Sequence, residues 1–500
     1  MSLDDVAETF LKEGRIDHFD VTLSKKIMPT SLSWLALWVV KAFRQGIMSP
    51  KIDERLYPDL SCVFVDDRAI SPTRCECEAI ETRIREEFSC CNLDTLIIDP
   101  PHVFLAYCHG IEKALLSHTN RLLSADPSLP IQSPEQLMAV NDDQYRAIKG
   151  ACDHTVFLIT GGPGTGKTYT AGHYLQHVAK QSPLPLRVAL VAPTGRAVQA
   201  LETSITRFVS DSVSIFSHTI HSLIRSQQHL PFHLMILDEC SMIDSDLMLK
   251  LFERIHSGMR ILMLGDADQL PPIEPGRPFE KMIASFPCYR LNKCQRTDVK
   301  DILSLASVVC HGDEPRVREA LLKESKEISF YNCQTHEQWK RFHNVVAEHV
   351  ISVWKDASTE DLSVLKSSVC LTPIRKGPFG TESINEMVSK QLLDKEIEPV
   401  VVCKNIHTLR LMNGELGLLE KRREQIRFTE NTIPLPLCPH IEKAYAMTVH
   451  KSQGSEFDTV VFVLPPKAHV DRKLLYTAIT RAKRRLIIVA DIEDLCQIFR

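Results

Sequence analysis

Along most of this chain, short runs of apolar residues alternate with segments whose apolar positions recur every three or four residues. The apolar runs lie at 155–160, 186–192, 234–239, 260–266, 367–375, 457–465 and 484–491. A strand that helices cover on both faces appears as a continuous apolar run, because neither face meets water. The pattern predicts an α/β fold with two doubly wound parallel sheets, one in residues 139–285 and one in residues 286–385 with 446–500.

Residues 1–125 have a different pattern. The segments 31–46 and 109–123 carry apolar stripes at helical spacing, so we expect a helical N-terminal domain that binds another protein. Trp34 and Trp38 lie four residues apart on one face of the first segment. Either they pack into a core, or they form a docking surface for another subunit.

Two further segments interrupt the α/β pattern. Residues 126–138 contain prolines and serines between the helical and the α/β regions, which predicts a linker. Residues 386–445 hold short β-like runs with little helical periodicity. They predict a small inserted β-barrel-like domain.

Charge is unevenly distributed along the chain. Its net charge is −4, but residues 1–138 hold 14 Lys and Arg against 21 Asp and Glu, a net of −7 that leaves +3 for the remainder. An acidic N-terminal region is a poor DNA surface and suits protein binding. There is no run of 18 consecutive apolar residues and no signal-peptide pattern at the N-terminus, so we expect a cytoplasmic protein without a membrane span.

The 16 cysteines allow two interpretations. Five of them could form a zinc site, but their Cys-x-Cys and Cys-Cys spacings lack the CxxC pair of most zinc sites. These five are Cys75, Cys77, Cys90, Cys91 and Cys108. A large chain without a signal segment favours reduced thiols, which is the interpretation we adopt.

The segment GGPGTGKT at 161–168 carries the most specific chemistry in the chain. It follows an apolar run and precedes a helical pattern, as a phosphate-binding loop does. Backbone N–H groups of such a loop converge on phosphates at a helix N-terminus. We expect Lys167 to neutralise the β- and γ-phosphate oxygens of ATP and Thr168 to ligate Mg²⁺. The predicted nucleotide-binding residues are Gln144, Gly161, Gly162, Pro163, Gly164, Thr165, Gly166, Lys167, Thr168 and Tyr169, with Gln144 reading the adenine edge.

Other charged and amide side chains complete a candidate hydrolytic site. Asp238 and Glu239 end an apolar run, where a carboxylate is costly unless it serves an ion or a ligand. We expect Asp238 to hold Mg²⁺ and Glu239 to deprotonate the attacking water. Gln269, in LGDADQLPP, is placed to sense the γ-phosphate. Arg296 and Arg481 would stabilise the charge of phosphoryl transfer from a second domain.

Turns after other predicted strands hold hydroxyl, amide and glycine residues. Such groups contact phosphates and sugars without reading sequence, as movement along a single strand requires. The candidate DNA contacts are Pro193, Thr194, Gly195, Arg196, Thr219, His221, Thr448, His450, Lys451, Gln453 and Gly454.

These motifs, in this order, resemble superfamily 1 DNA helicases and, among them, the RecD family, the alpha chains of exodeoxyribonuclease V. The resemblance covers roughly residues 139–500 and rests on GGPGTGKT, APTGRA, TIHSL, LDECSMID, LGDADQLPP, IRKGPFGTESIN, MNGELG, VHKSQGSEF and YTAITRA. It implies two RecA-like motor domains that use ATP and Mg²⁺ to move 5′→3′ on single-stranded DNA. It also implies action at DNA ends beside the RecB and RecC chains, in double-strand break repair and homologous recombination.

Two other functions stay open at the level of sequence. A stand-alone RecD-like helicase carries helix-hairpin-helix modules in a larger N-terminal extension, for which we expect no room here. A regulatory subunit that binds ATP and DNA without moving is the second. Against it stands the retention of Lys167, Glu239, Arg296 and Arg481.

The chain departs from the family pattern at two places. Only residues 224–233 separate TIHSL from the next predicted strand, where the family has a β-hairpin that splits the duplex. We therefore expect translocation, with duplex separation by this chain alone in doubt. Cys240 replaces the alanine that usually follows the family's acidic pair, and we expect no loss of hydrolysis from it.

Overall fold

A computed structural model describes most of the chain from residue 96 onward. The described residues are 96–99, 102–183, 185–209, 211–226, 230–272, 274–293, 300–323, 325–358, 361–404, 406–409, 411, 413–429, 431–466, 468 and 470–499. The predictions that concern segment 31–46, Trp34, Trp38, Cys75, Cys77, Cys90, Cys91 and Arg296 lie outside these residues.

The described strands are numbered in chain order. They are β1 (Leu96–Asp99), β2 (His102–Leu105), β3 (Val156–Gly161), β4 (Leu186–Ala192), β5 (Val213–Thr219), β6 (Leu234–Leu237), β7 (Arg260–Gly265), β8 (Cys288–Leu291), β9 (Ile328–Asn332), β10 (Ser368–Thr372), β11 (Ile397–Val402), β12 (Leu416–Glu420), β13 (Gln425–Arg427), β14 (Thr432–Pro434), β15 (Ile441–Lys443), β16 (Ala446–Thr448), β17 (Phe457–Val463) and β18 (Ala482–Ala490).

The α-helices are numbered in the same way. They are α1 (Ala106–Leu123), α2 (Asp142–Asp153), α3 (Lys167–Gln181), α4 (Gly195–Thr206), α5 (Ile220–Ser226), α6 (Ser245–Arg254), α7 (Pro278–Ser285), α8 (Lys300–His311), α9 (Glu314–Leu322), α10 (His336–Val346), α11 (Ser352–Asp356), α12 (Thr381–Gln391), α13 (Arg472–Ile479) and α14 (Ile492–Gln497). Many begin at a capping side chain. Asn141, Thr194 and Asp471, for example, each accept a hydrogen bond from a backbone N–H in the first turn of the following helix.

The first sheet has six parallel strands in the order β5-β4-β6-β7-β3-β8. Every residue of β3, β6 and β7 is buried. In parallel strands the carboxyl ends meet at one edge of the sheet, so the segments that follow β3, β6 and β7 are neighbours.

The second sheet has five parallel strands in the order β16-β10-β17-β18-β9. The two sheets confirm the predicted α/β class, and each of the seven apolar runs overlaps a strand. The pattern missed β5, β8, β9 and β16, which are the four edge strands of these sheets. An edge strand is partly exposed and mixes polar with apolar residues, so it leaves no continuous apolar run.

A third sheet is antiparallel, in the order β14-β13-β12-β11-β15. It lies within the segment predicted to be an inserted β-domain. Among the described residues it is an open sheet with β14 and β15 at its edges, rather than a closed barrel, and both of these strands are three residues long. The predicted boundary at residue 386 falls inside α12.

The chain divides into two compact units. One comprises Asp126–Ser241, Gly258–Leu270 and Ser285–Arg500. It contains every predicted site residue that the structure describes. The other joins the N-terminal segment to Met242–Ser257 and Pro271–Ala284, two segments that the sequence pattern had grouped with the first α/β domain.

In the unit with the N-terminal segment, β1 and β2 form a hairpin that leads into α1. This hairpin was not predicted. Arg121, in the last turn of α1, donates hydrogen bonds to the Phe252 carbonyl oxygen at 2.8 Å and to Ser257 Oγ at 3.1 Å. Lys281 forms an ion pair with Glu112 at 2.5 Å.

The predicted linker is bound to the first α/β domain rather than free of it. Arg260 at the start of β7 is 2% exposed. Its guanidinium donates to the carbonyl oxygens of Leu129 (2.7 Å), His154 (3.0 Å), Cys152 (3.1 Å) and Ala151 (3.3 Å). A buried guanidinium needs such acceptors, and here they tie the linker to α2 and β7.

Candidate functional site

A glycine-rich loop leaves the carboxyl end of β3. Gly164 and Gly166 have φ of 74° and 86°, a region that residues with a Cβ rarely adopt. The next helix, α3, begins at Lys167, so its unpaired first N–H groups face the loop. Such a helix start binds anions.

The loop is closed by hydrogen bonds of its own side chains. Lys167 Nζ donates to the carbonyl oxygens of Gly161 at 2.6 Å and Gly162 at 3.2 Å. Thr165 Oγ1 donates to the Gly162 carbonyl oxygen at 2.8 Å. Pro163 and Thr168 are half-buried beside them. The loop therefore holds its lysine next to the backbone groups that would meet a phosphate.

Gln144 lies at this loop. It closes a capping box with Asn141 at the start of α2, and its Nε2 atom is 2.6 Å from the point where a Cβ on Gly166 would stand. Tyr169 donates its hydroxyl to the Ala139 carbonyl oxygen at 2.9 Å. The two side chains bring the segment before α2 against the phosphate loop.

The predicted acid pair follows β6 directly. Glu239 has a φ of 52°, which costs a residue with a Cβ about 1 kcal/mol or more. Asp238 Oδ1 accepts the Glu239 N–H at 2.8 Å. Burial raises the pKa of the Asp238 carboxyl to about 7; the charge of Glu239 adds to the rise, while that hydrogen bond and Lys167 oppose it. A cation beside this carboxylate would relieve the cost of its burial.

Asp266, at the end of β7, binds three donors. Its Oδ2 accepts Tyr476 Oη at 3.0 Å and Gln269 Nε2 at 3.1 Å, and its Oδ1 accepts the Asp268 N–H at 3.1 Å. Asp266 is 1% exposed, and burial raises the pKa of its carboxyl. Gln269, predicted from sequence, is thus held by Asp266, to which the sequence analysis assigned no role.

Arg481 is buried just after α13. Its guanidinium donates to the Thr477 and Ser455 carbonyl oxygens, both at 3.1 Å, and to Thr480 Oγ1 at 3.3 Å. Ser455 Oγ in turn accepts Arg196 NH1 at 2.5 Å. Ser455 therefore contacts an arginine of each α/β domain.

This contact alters the expectation for Arg196. Burial lowers the pKa of its guanidinium; Glu415 opposes this effect and Arg481 adds to it. A guanidinium in that position lies against the second α/β domain rather than on an open groove. The structure gives this predicted DNA contact a hydrogen-bond partner, Ser455, in the second α/β domain.

The other candidates of the first domain lie at the carboxyl ends of β4 and β5, which are neighbours. Thr194 Oγ1 caps α4 by accepting the Ala197 N–H at 3.2 Å, and Thr219 Oγ1 accepts the Ser222 N–H at 3.2 Å. Pro193 and Gly195 flank Thr194, and His221 is exposed. Backbone and hydroxyl groups at these turns can meet a strand's phosphates.

The candidates of the second domain follow β16. Thr448 Oγ1 accepts the Lys451 N–H at 3.3 Å, and Gly454 has a φ of 69°. Burial lowers the pKa of His450, and Asp471 opposes this. A neutral imidazole can donate to or accept from a phosphate or sugar.

Two side chains of the same segment already have protein partners. Lys451 Nζ donates to Glu442 Oε2 at 2.6 Å and to Cys403 Sγ at 3.5 Å. Gln453 Nε2 donates to the Leu270 carbonyl oxygen at 3.2 Å. Lys451 would have to exchange Glu442 for a phosphate in order to contact DNA.

Sequence reasoning missed the residues that join one domain to the other. Tyr476, Thr477 and Ser455 all lie in motifs that carried the family resemblance, but nothing in their spacing says which partner they contact. Thr477 Oγ1 accepts the Leu270 N–H at 2.9 Å. Such partners come from the other domain and are far away in sequence.

Known proteins match over the same regions. The family model of an AAA domain matches residues 139–331, and that of a UvrD-like helicase C-terminal domain matches residues 443–489. The RecBCD enzyme subunit RecD of Mycobacterium tuberculosis is 30% identical over 399 residues, which is 70% of this chain and 69% of that protein. The ATP-dependent RecD2 DNA helicase of Deinococcus radiodurans is 30% identical over 421 residues, 77% of this chain and 54% of that protein.

Among solved structures, Bacteroides Pif1 bound to single-stranded DNA is 17% identical, covers 71% of this chain and 92% of its own, and has a TM-score of 0.41. Within the part of the chain that the structure describes, no helix combines the length and apolar character needed to cross a membrane.

Proposed function

This chain belongs to the RecD family of ATP-dependent DNA helicases, and from that premise we propose that it is the 5′→3′ single-strand translocase subunit of a RecBCD-type exodeoxyribonuclease V. In that role it acts at DNA ends in double-strand break repair and homologous recombination. RecB and RecC homologues are the proposed partners.

The convergence of three strand ends is the observation that carries the proposal. β3, β7 and β6 are consecutive in the sheet, and they lead to the phosphate loop, to Asp266 with Gln269, and to the acid pair. The second domain, which carries Arg481, contacts this edge of the sheet through Tyr476. A site shared by two domains can convert hydrolysis into relative motion.

The residues fit ATP with Mg²⁺. Glycines without room for a Cβ line the loop at 161 and 166, where Leu291 O and Gln144 Nε2 approach within 2.7 Å and 2.6 Å of the Cβ position. Lys167 supplies a cation, and Asp238 is a buried carboxylate whose charge a cation would offset. Thr168 and Asp238 would hold the Mg²⁺, which neutralises charge on the phosphate oxygens when bound.

Different side chains of the protein then have different roles in hydrolysis. Lys167 binds the β- and γ-phosphate oxygens, and Glu239 takes the proton of the attacking water. Gln269 contacts the reacting end of the nucleotide. Arg481, with Arg296, stabilises the charge that develops on the transferred phosphoryl group.

The single strand crosses both domains in this proposal. In the first domain its phosphates and sugars meet the turns after β4 and β5, and in the second the segment after β16. Gln453 joins that segment to Leu270, next to Gln269, so strand contacts and the hydrolytic site are one hydrogen bond apart. This link supports DNA-stimulated turnover.

ATP turnover of the purified chain, with and without oligo(dT), tests the proposal. We expect stimulation by the strand in the wild type and a loss of roughly 100-fold or more in Lys167→Ala. Lys180→Ala, an exposed lysine in the last turn of the same helix, is the matched control and should turn over normally. Normal turnover in Lys167→Ala would refute the site.

Co-purification with RecB and RecC homologues tests the complex. We expect a stable assembly that unwinds DNA from an end. Strand separation by the isolated chain, together with no binding to either homologue, would favour the stand-alone helicase instead. The described residues give no hairpin between α5, which ends at Ser226, and β6, which begins at Leu234.

A further inference from the structure

A tyrosine of the second α/β domain binds the carboxylate that holds Gln269 in the first. Tyr476 lies on α13, and its hydroxyl donates to Asp266 Oδ2 at 3.0 Å. Both residues are buried, at 5% and 1% exposure. Because the bond crosses from one domain to the other, it depends on how the two domains are placed.

Asp266 determines which way the Gln269 amide faces. An ionised carboxylate only accepts hydrogen bonds, so the Gln269 group within 3.1 Å of Oδ2 has to be the NH₂. The Oε1 atom therefore points away from Asp266. It is buried, and within the described structure it has no hydrogen-bond partner. An unpaired buried acceptor is costly and suits a donor supplied by a ligand.

A second contact fixes α13 against the same segment. Thr477, the next residue, accepts the Leu270 N–H at 2.9 Å. The Tyr476 hydroxyl also lies 2.9 Å from the point where a Cβ on Gly162 would stand. Tyr476 therefore borders the phosphate loop as well. Tyr476 thus lies between the loop and the residues that would face the γ-phosphate.

We propose that Tyr476 is a positioning residue for ATP hydrolysis: through Asp266 it holds the Gln269 amide so that Oε1 accepts a hydrogen bond from the attacking water, whose proton Glu239 takes. The inference rests on the proposed ATP-hydrolysing function. It adds an acceptor's role toward water to the contact that Gln269 makes with the reacting end of the nucleotide. Separation of the domains breaks the Tyr476–Asp266 bond and stops hydrolysis.

Tyr476→Phe tests this in the full-length chain, because it removes one hydroxyl and little volume. We expect kcat for ATP to fall roughly tenfold, with KM for ATP and the half-saturating oligo(dT) concentration unchanged. Tyr445→Phe is the matched control: its hydroxyl, directly before β16, is also buried and has no hydrogen-bond partner in the described structure. It should leave kcat and KM as in the wild type.

A double mutant separates positioning from a general structural effect. If Tyr476 acts through Gln269, adding Tyr476→Phe to Gln269→Ala should lower kcat no further. Multiplied losses in the double mutant would overturn the proposal. So would an unchanged kcat in Tyr476→Phe, or a loss matched by an equal loss in Tyr445→Phe.

The melting temperature of each variant would show whether that variant is misfolded. Asp266→Asn is the second variant that tests the proposal. It should lower kcat as Tyr476→Phe does, without changing KM, because a neutral amide no longer fixes the Gln269 orientation. A kcat like the wild type's in Asp266→Asn would also overturn the proposal. A wild-type chain without ATP turnover would instead refute the proposed function, which is a distinct outcome.

Discussion

Glu239 carries its carboxylate on a backbone with a φ of 52°, and among the described residues only Glu424 shares this conformation without being glycine. The two residues differ in surroundings. Glu239 follows a buried strand next to Asp238, whereas Glu424 is exposed in the turn between β12 and β13. Strain of this kind persists where neighbours determine the conformation, as they do at a site that has to aim a side chain.

Glu239→Gln should therefore abolish turnover and retain ATP binding. We expect kcat to fall about 10²- to 10⁴-fold, because the amide cannot take the proton of water. Steady-state turnover and equilibrium binding of labelled ATP would measure the two effects. Glu424→Gln has the same chemistry and a similar φ, and it should be neutral. Turnover within a few-fold of wild type in Glu239→Gln would remove Glu239 as the base.

At the scale of elements, the small antiparallel sheet is joined to α12 through a buried glutamate whose lysine partners are partly exposed. Glu398 on β11 accepts Ser389 Oγ at 3.0 Å and pairs with Lys421 at 3.1 Å and Lys443 at 3.5 Å. Glu396, two residues earlier, pairs instead with Arg422, and both side chains are well exposed. Glu396 precedes β11, which begins at Ile397, and the two glutamates differ in solvent access although sequence alone does not distinguish them.

Glu398→Ala should destabilise the protein where Glu396→Ala does not. Removing Glu398 leaves the Ser389 hydroxyl and two partly exposed lysines without their acceptor, and we expect a loss of about 2 kcal/mol in the free energy of unfolding. The exposed pair should contribute less than about 1 kcal/mol. Urea unfolding of the two variants measures the difference. Equal effects would show that Glu398 does not hold the sheet to α12.

At the scale of the whole molecule, three of the hydrogen bonds between the described parts of the two α/β domains meet at one segment. Tyr476 to Asp266, Thr477 to Leu270 and Gln453 to Leu270 meet the segment after β7. Arg196 meets Ser455 nearby. Movement of one domain against the other would change these bonds first, and with them the setting of Gln269 and Arg481.

The proposed direction of travel along the strand is a property of the whole molecule. A 5′→3′ motor should displace streptavidin from the 3′ end of a biotinylated single strand and leave it bound at the 5′ end. We expect a rate difference of tenfold or more between the two substrates, since stepping has one direction. Lys167→Ala should displace neither. Faster displacement at the 5′ end would contradict the proposed polarity.

The sequence by itself determined the class of fold and the identity of the nucleotide loop. Buried central strands have to be apolar throughout, and a phosphate loop needs its glycines, lysine and threonine at fixed spacing, so both leave local signals. Only the tertiary structure decided the partners of Arg196, Lys451 and Gln453, the attachment of the linker to the first α/β domain, and the Tyr476–Asp266 contact. Each of these contacts joins residues that are distant in the chain. Edge strands, capped turns and interdomain hydrogen bonds leave no periodic pattern from which a sequence could predict them.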